Sequence, residues 1–308
     1  KKILFAVSAV ALALSAGSAM AADLPSYKAP PPVYIPPPPM WTGFYAGLNA
    51  GFGWGTSSNT YTAGVPVWDG FVDEYSGAYG VWGSTALANT ATANINQSGF
   101  IGGGQIGYNY QWGPQFVVGL EADIQGASIS GAGTSTGASV DSDASYNPNR
   151  VAVGGNDIHA GINWMGTVAG RVGYLFTPTL LVYARGGLAY GGVHANVTSS
   201  LQGYAWGDPA DYPFSGTGTG YASNTLVGWH IGGGLEWMFM PNWSLKTEAF
   251  YYDLGSLSVG APVFAPVPGY SGMGNITTTR VQFNGVVARV GVNYHFNWGA
   301  PAPVVAKY

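Results

Sequence analysis

The chain has no cysteine. That excludes disulfides, thiolate nucleophiles and cysteine-ligated metals. Charge is nearly as scarce. Asp, Glu, Lys and Arg make up 8% of the 308 residues, fourteen acids against ten bases, which leaves no basic surface for a nucleic acid. The four histidines, His159, His194, His230 and His295, fall in no ligand spacing such as H-E-x-x-H, so the sequence calls for no metal and no cofactor. Long apolar runs are missing beyond the N-terminus, and with them any helical span, which needs roughly 20 such residues. What is present is 49 glycines, 14% aromatic residues and 47% hydrophobic residues. That is too apolar for a disordered chain and suits a β-rich barrel or sandwich.

The ends read separately. Lys1 and Lys2, the apolar run Ile3 to Leu14 and the small-residue close Ala19-Met20-Ala21 predict a secretory signal peptide over 1–21. Without its two lysines, eight bases face fourteen acids, a net charge of −6. Residues 22–40 form a Pro-rich leader whose proline runs cannot supply ladder N–H groups and favour extended polyproline II. A barrel is expected over 41–296 and a tail over 297–308.

Eight stretches alternate Gly or polar residues with aliphatic or aromatic ones. In Trp41 to Gly55, one parity gives Phe44, Ala46, Leu48, Ala50, Phe52 and Trp54, the other Gly43, Tyr45, Gly47, Asn49, Gly51 and Gly53. The gaps between stretches are alternately short and long. Short ones, at Gly113-Pro114, Thr177-Pro178-Thr179 and Met240-Pro241-Asn242, read as tight periplasmic turns. Long ones, about 56–96, 127–157, 196–222 and 257–279, are rich in Gly, Ser, Thr, Asn and Asp and read as extracellular loops. The sequence thus predicts an all-β fold: an eight-stranded antiparallel up-and-down transmembrane β-barrel with short periplasmic turns and long extracellular loops.

Charge placement tests that reading. Glu121, Asp123, Glu236 and Glu248, with Arg171, Arg185, Lys246 and Arg289, all fall on the parity opposite the apolar set. A charge facing lipid at mid-bilayer costs about 2–4 kcal/mol, so these eight are assigned to the lumen, where four acids and four bases balance in a network. Trp41, Trp112, Phe116, Phe176, Trp237, Phe239, Trp243 and Tyr294 lie beside the short turns and are assigned to an interfacial aromatic girdle. On the seventh strand Phe250 and Tyr252 share the inward parity with Lys246 and Glu248, which suggests a bulge there. A soluble sandwich would put its charges outward instead.

Enzymatic chemistry finds no motif. Gly102, Gly104 and Gly107 match G-x-G-x-x-G, yet strand parity runs on to Trp112 where a nucleotide site needs a helix. No catalytic residue is assigned; a triad drawn from separate strands would leave no trace in the sequence. The loops carry Asp69, Asp73, Glu74, Asp141, Asp143, Asp157, Asp208 and Asp211 against Arg150, an acidic outer face able to bridge to anionic lipopolysaccharide through divalent cations.

Three segments carry a family likeness: Trp41-Thr42-Gly43-Phe44-Tyr45-Ala46-Gly47, Arg171-Val172-Gly173-Tyr174 and Arg289-Val290-Gly291-Val292-Asn293-Tyr294-His295-Phe296. With these the chain resembles the small outer-membrane surface-antigen barrels of alphaproteobacteria, porin-family proteins with an OmpA-like eight-stranded fold. The resemblance implies a location in the bacterial outer membrane, abundance and surface exposure. It implies contact with outer-membrane lipid and lipopolysaccharide, handling by the outer-membrane assembly machinery, and a host or surface ligand at the loops. Family members often end on the final strand's aromatic residue, the assembly signal; here Asn297 to Tyr308 follow Phe296, so either Phe296 or Tyr308 fills that role. Eight strands leave a lumen that side chains can fill, whereas a diffusion porin needs about 16. The reading is therefore a structural or surface-interaction protein of the envelope with a filled lumen. The alternative is a narrow channel for small solutes.

Overall fold

The computed structural model describes residues 40–57, 59–69, 85–141, 150–204, 213–267 and 270–296. The signal peptide, nearly all of the leader and the tail expected from sequence lie outside these residues.

Among the described residues ten strands run in one antiparallel sheet: β1 (Gly43–Gly55), β2 (Asn59–Asp69), β3 (Ala91–Asn94), β4 (Ser98–Trp112), β5 (Phe116–Asp141), β6 (Arg150–Thr177), β7 (Leu180–Tyr204), β8 (Pro213–Met240), β9 (Trp243–Val267) and β10 (Tyr270–Phe296). From β4 to β10 each strand pairs with the next. β1 pairs with β4 on one edge and with β10 on the other, from Phe44 opposite Phe296 to Gly55 opposite Gly285. Eight strands therefore close a ring, which removes every sheet edge along β1. The turns fall at the expected places. At the β8–β9 turn Pro241 fixes its own φ and Asn242 takes a φ of 70°, a left-handed value asparagine tolerates.

Strand length differs from the expectation. Much of the segments 127–157, 196–222 and 257–279, expected as loops, continues the ladder as the far halves of β5 to β10. Their alternation is present but its sense is reversed. Near the short turns the outward residues are apolar: Leu120 is 68% exposed and Val172 61%. Farther along, the outward residues are Thr198, Ser200, Thr217 and Thr219, while Ile158, Ile162, Val193, Val197, Val259 and Val281 are buried inside. Bulges mark the changeover. The register shifts between Ile162 and Trp164 on β6, and between Gln282 and Asn284 opposite Gly255, whose φ is 89°. One extra residue at Asn163 and one at Gly255 swap the inward parity on β6 and β9. Phe250 and Tyr252 sit below the β9 bulge and stay inward, in register with Val287 and Gly285.

The first long gap, expected as a loop, holds the two extra strands. β2 pairs with β10 beyond the end of β1, from Tyr61 opposite Arg280 to Asp69 opposite Met273, and β3 pairs back onto β2. Between them a single helical turn, 85–88, enters the far mouth of the barrel. There Asn89 Nδ2 donates to the Ser200 carbonyl at 2.9 Å, Asn156 Nδ2 donates to the Asn89 carbonyl at 3.0 Å, and Asn275 Nδ2 donates to Asn89 Oδ1 at 3.0 Å. Inward glycines make the space: a Cβ at Gly133 or at Gly137 would come within 2.4 Å of the Asn94 or Ala88 carbonyl oxygen. Ala93 and Ile95 then complete the inner apolar core. Asn89→Ala removes the side-chain bonds to Ser200 on β7 and Asn275 on β10 while keeping the backbone bond from Asn156, and is expected to cost about 1–3 kcal/mol, read as faster protease cleavage within 85–97 and a lower unfolding midpoint.

Candidate functional site

The inward face of the ring's near half carries all eight charges assigned to the lumen, and they meet. Arg171 bridges Glu121 at 3.1 Å and Glu236 at 2.6 Å. Arg185 reaches Glu121 at 3.0 Å, Glu248 at 2.7 Å and Asp123 at 3.2 Å. Lys246 sits 3.0 Å from Glu121 and 3.4 Å from Glu248. Arg289 pairs with Asp123 at 2.7 Å and donates through Nε to Glu248. None of these side chains is more than 2% exposed.

Charges taken this far from water persist only when paired and hydrogen-bonded. Uncharged neighbours supply much of the remaining hydrogen bonding, leaving Arg171 Nε, Arg185 Nε and Arg289 Nη1 without a partner among the described residues. Tyr45 Oη accepts from Arg171 Nη1 and donates to Glu121, each at 2.6 Å. Tyr183 Oη donates to Glu248 at 2.7 Å, and its ring lies 4.0 Å beneath the Arg171 guanidinium. The Thr167 hydroxyl donates to Asp123 at 2.7 Å; Ser244 Oγ and Asn293 Nδ2 each donate to Glu236 at 2.6 Å. Gln105 joins Asn293 to Asn49. Counting these partners, every strand of the ring contributes a side chain. Tyr183, Thr167 and Ser244 had not been singled out from sequence, although Tyr183 and Ser244 share the inward parity of Arg185 and Lys246 two residues away, and Thr167 that of Arg171 four away. That parity was the available signal.

The network is covered on both sides. Toward the far mouth, the Phe250 ring lies 5.2 Å from the Arg185 guanidinium and 5.1 Å from that of Arg289, with the apolar core beyond it. Toward the short turns, Trp41 packs with Val117, Leu175, Leu181, Tyr183 and Met238, and its Nε1 donates to the Pro178 carbonyl at 2.9 Å. Trp41 is 1% exposed. Its assignment to the outer girdle is therefore corrected: it lies one turn before β1, folds under the ring and stops the lumen, where its N–H finds the carbonyl it needs.

The other seven girdle residues, Trp112, Phe116, Phe176, Trp237, Phe239, Trp243 and Tyr294, are 36–70% exposed on the outer wall. A second outward ring of aromatics, not anticipated from sequence, lies about eight residues farther along the strands. It includes Phe52, Trp54, Trp164, Tyr190, Trp229 and Tyr251, with contacts such as Trp229–Tyr251 at 5.5 Å. Eight residues are about 27 Å of strand, roughly 20 Å of height at a tilt near 40°, close to the ~25 Å apolar band of a membrane barrel. The repeat of outward aromatics eight residues on was readable in the sequence.

One cluster tests for chemistry. Ser244, His295 and Glu236 converge, with Ser244 Oγ 2.9 Å and Glu236 3.4 Å from the same atom, His295 Nε2. A hydrolytic triad needs the acid on the other ring nitrogen and the serine proton given to the histidine; here the serine donates to the glutamate. Gly102, Gly104 and Gly107 lie within β4, with no helix following. Of the loop acids, Asp157 lies outward on β6, 3.4 Å from His159; Asp73, Glu74, Asp143, Asp208 and Asp211 lie outside the described residues.

Comparison of the sequence with known families and proteins gives a family. A family model described as an outer membrane protein beta-barrel domain matches residues 9–296. The chain is 31% identical over 285 residues to a 31 kDa outer-membrane immunogenic protein of Brucella melitensis, covering 92% of this chain and 96% of that one. It is 29% identical over 184 residues to a 22 kDa outer membrane protein of Rhizobium leguminosarum, 58% of this chain and 66% of that one. Among solved structures, OprG of Pseudomonas aeruginosa matches at 11% identity and a TM-score of 0.31, over 83% of this chain and 97% of that one.

Proposed function

The chain belongs to the outer membrane protein β-barrel domain family and is a protein of the bacterial outer membrane, and from that premise we propose that it is a closed, non-enzymatic envelope barrel whose work is done at its extracellular surface. One observation carries the reading: the eight-charge network, met by side chains from all eight ring strands, fills the lumen at the depth of the apolar belt. An ion crossing there would have to part buried pairs, and breaking one such pair costs about 3–5 kcal/mol. The Trp41 stopper and the 85–97 segment add a barrier at each mouth. What remains for the protein to do is structural, through outer-membrane lipid and lipopolysaccharide, or interactive, through the wall and loops beyond the belt, where a host or surface ligand would bind. The Brucella relative's name, an immunogenic protein, fits a chain whose far half is held out for recognition. Delivery by the outer-membrane assembly machinery belongs to the same proposal.

Planar bilayers test it. Purified protein should insert without steady unitary steps in molar salt. Reproducible open-channel currents from folded protein would overturn the closed lumen in favour of a narrow channel.

A further inference from the structure

The ring is not laddered over its full height. β8 and β9 are bonded from Met240 opposite Trp243 to Trp229 opposite Asp253. Beyond Trp229, in the upper aromatic ring, β8 keeps its ladder with β7 from Val227 opposite Tyr190 to Pro213 opposite Tyr204, and β9 keeps its own with β10, but among the described residues no ladder joins β8 to β9. The two still run side by side: Gly216 lies against Ala265 and Gly218 against Val263, with no room for a Cβ at either glycine. This seam spans about 50 Å of strand. All of it lies beyond the apolar belt, where unpaired backbone meets water rather than hydrocarbon.

The sequence of β9 explains the break. Pro262 and Pro266 share one parity, and the β9–β10 ladder runs without interruption through Pro262 opposite Ile276, so the side on which these residues lack an N–H is the side toward β8. Two donors are therefore missing from β9, beside Thr219 and Ser215 of β8. Where the strands part, side chains satisfy two amides locally: Asn224 Oδ1 accepts from the Thr225 N–H and Asp253 Oδ1 from the Gly255 N–H, each at 2.8 Å.

The edge of β8 is left ready to pair. Alternate residues of an extended strand turn N–H and C=O to opposite neighbours, and Pro213, opposite Tyr204 within the β7 ladder, marks the odd residues as those turned to β9. Ser215, Thr217, Thr219, Tyr221 and Ser223 are exposed. Residues 214–228 contain no charge and no proline, the devices that blunt a free edge. Opening the seam loses little, because Phe214, Ala222 and Leu226 are the side chains this half-strand lends to the apolar cores. At its outer end a cavity of about 700 Å³, bordered by Pro213, Phe214, Pro266 and Val267, leaves room for an entering chain.

We propose that the β8 edge takes up an extended segment of another polypeptide by strand addition. Water can meet single N–H and C=O groups, but a row of alternating donors and acceptors at strand spacing is matched as a set only by a second extended backbone. A segment free of proline offers β8 the donors that β9 lacks. The contact rests on the reading of a surface that works by interaction beyond the belt, and gives it a place and a kind of partner.

Amide exchange followed by NMR on the folded, unsubstituted chain tests it. The N–H groups of Ser215, Thr217, Thr219, Tyr221 and Ser223 should exchange about ten-fold or more faster than those of β7 from Val193 to Leu201. The probe is a synthetic peptide copying residues 254–267 with Pro262→Thr and Pro266→Thr; it should slow these β8 amides, and the same peptide with both prolines kept should slow them less. In the full chain, Pro262→Thr/Pro266→Thr should let β9 complete the ladder, slow the same amides and abolish peptide uptake. Three results overturn the proposal: β8 amides already as slow as those of β7, no slowing by the proline-free peptide, or slowing that follows protein concentration alone, which gives the edge to a second copy. None of them bears on conductance, so the closed lumen stands or falls separately.

Discussion

Glu121→Ala is expected to destabilise the folded barrel by about 3–5 kcal/mol, seen as a marked fall in the temperature at which compact gel mobility is lost. Glu121 is the acid on which the network converges: Arg171, Arg185 and Lys246 all lie within 3.1 Å of it, and Tyr45 donates to it. Removing it leaves three buried cations with too few partners. The damage comes from orphaned charge rather than from the lost pair itself, so a compensating deletion should repair part of it. Glu121→Gln/Lys246→Met keeps the lumen electroneutral and retains a hydrogen-bonding group beside Arg171. Measured against Glu121→Gln and Lys246→Met alone, it should show a coupling of about 0.5–3 kcal/mol in a double-mutant cycle. If Glu121→Ala unfolds within about 1 kcal/mol of the unsubstituted protein, the lumen is wet enough to solvate these charges and the closed-barrel reading fails with it.

The near half of this molecule was legible because there the physics has one rule. Lipid accepts only apolar side chains, so parity along Phe116 to Ile124 or Trp237 to Ile231 assigns faces residue by residue, and Arg171, Arg185 and Glu121 could be turned inward without coordinates. Beyond the belt the solvent changes from hydrocarbon to water and the rule inverts. Ile158 and Ile162 share the even parity of outward Val168 and Val172, yet they are buried, because Asn163 inserts an extra residue between the two sets. A single-residue bulge carries almost no sequence signature, so the far wall, with its Ser, Thr and Gly facing water, imitates a loop. The segment 85–97 was hidden for a related reason: the glycines that admit its backbone, Gly133 and Gly137, look like any others in a Gly-rich stretch. Trp41 shows the limit at the other end. An aromatic residue just outside a strand can turn either way, and what turned this one inward is a carbonyl 137 positions later in the chain.

That inversion makes the second large prediction, a comparison of one substitution at two heights. Leu120 points outward from β5, midway between Phe116 and Ile124, and is 68% exposed. Thr198 points outward from β7, eight residues beyond Tyr190 in the upper aromatic ring. Both are exposed positions on the same barrel, and in water an arginine would suit either. In the outer membrane, Leu120→Arg should cost about 2–4 kcal/mol, because the guanidinium sits near mid-bilayer, whereas Thr198→Arg should fall within about 0.5 kcal/mol of neutral. Unfolding titrations in lipid vesicles would measure both. The inner wall should respond in the opposite sense: Val197, fully buried in the far core, should not tolerate aspartate, although carboxylates one belt lower face the same lumen. Equal costs at Leu120 and Thr198 would mean that the belt has been drawn at the wrong height, and with it the level at which the charge network crosses the bilayer. A large cost at Leu120 alone fixes that level, because only hydrocarbon distinguishes the two sites.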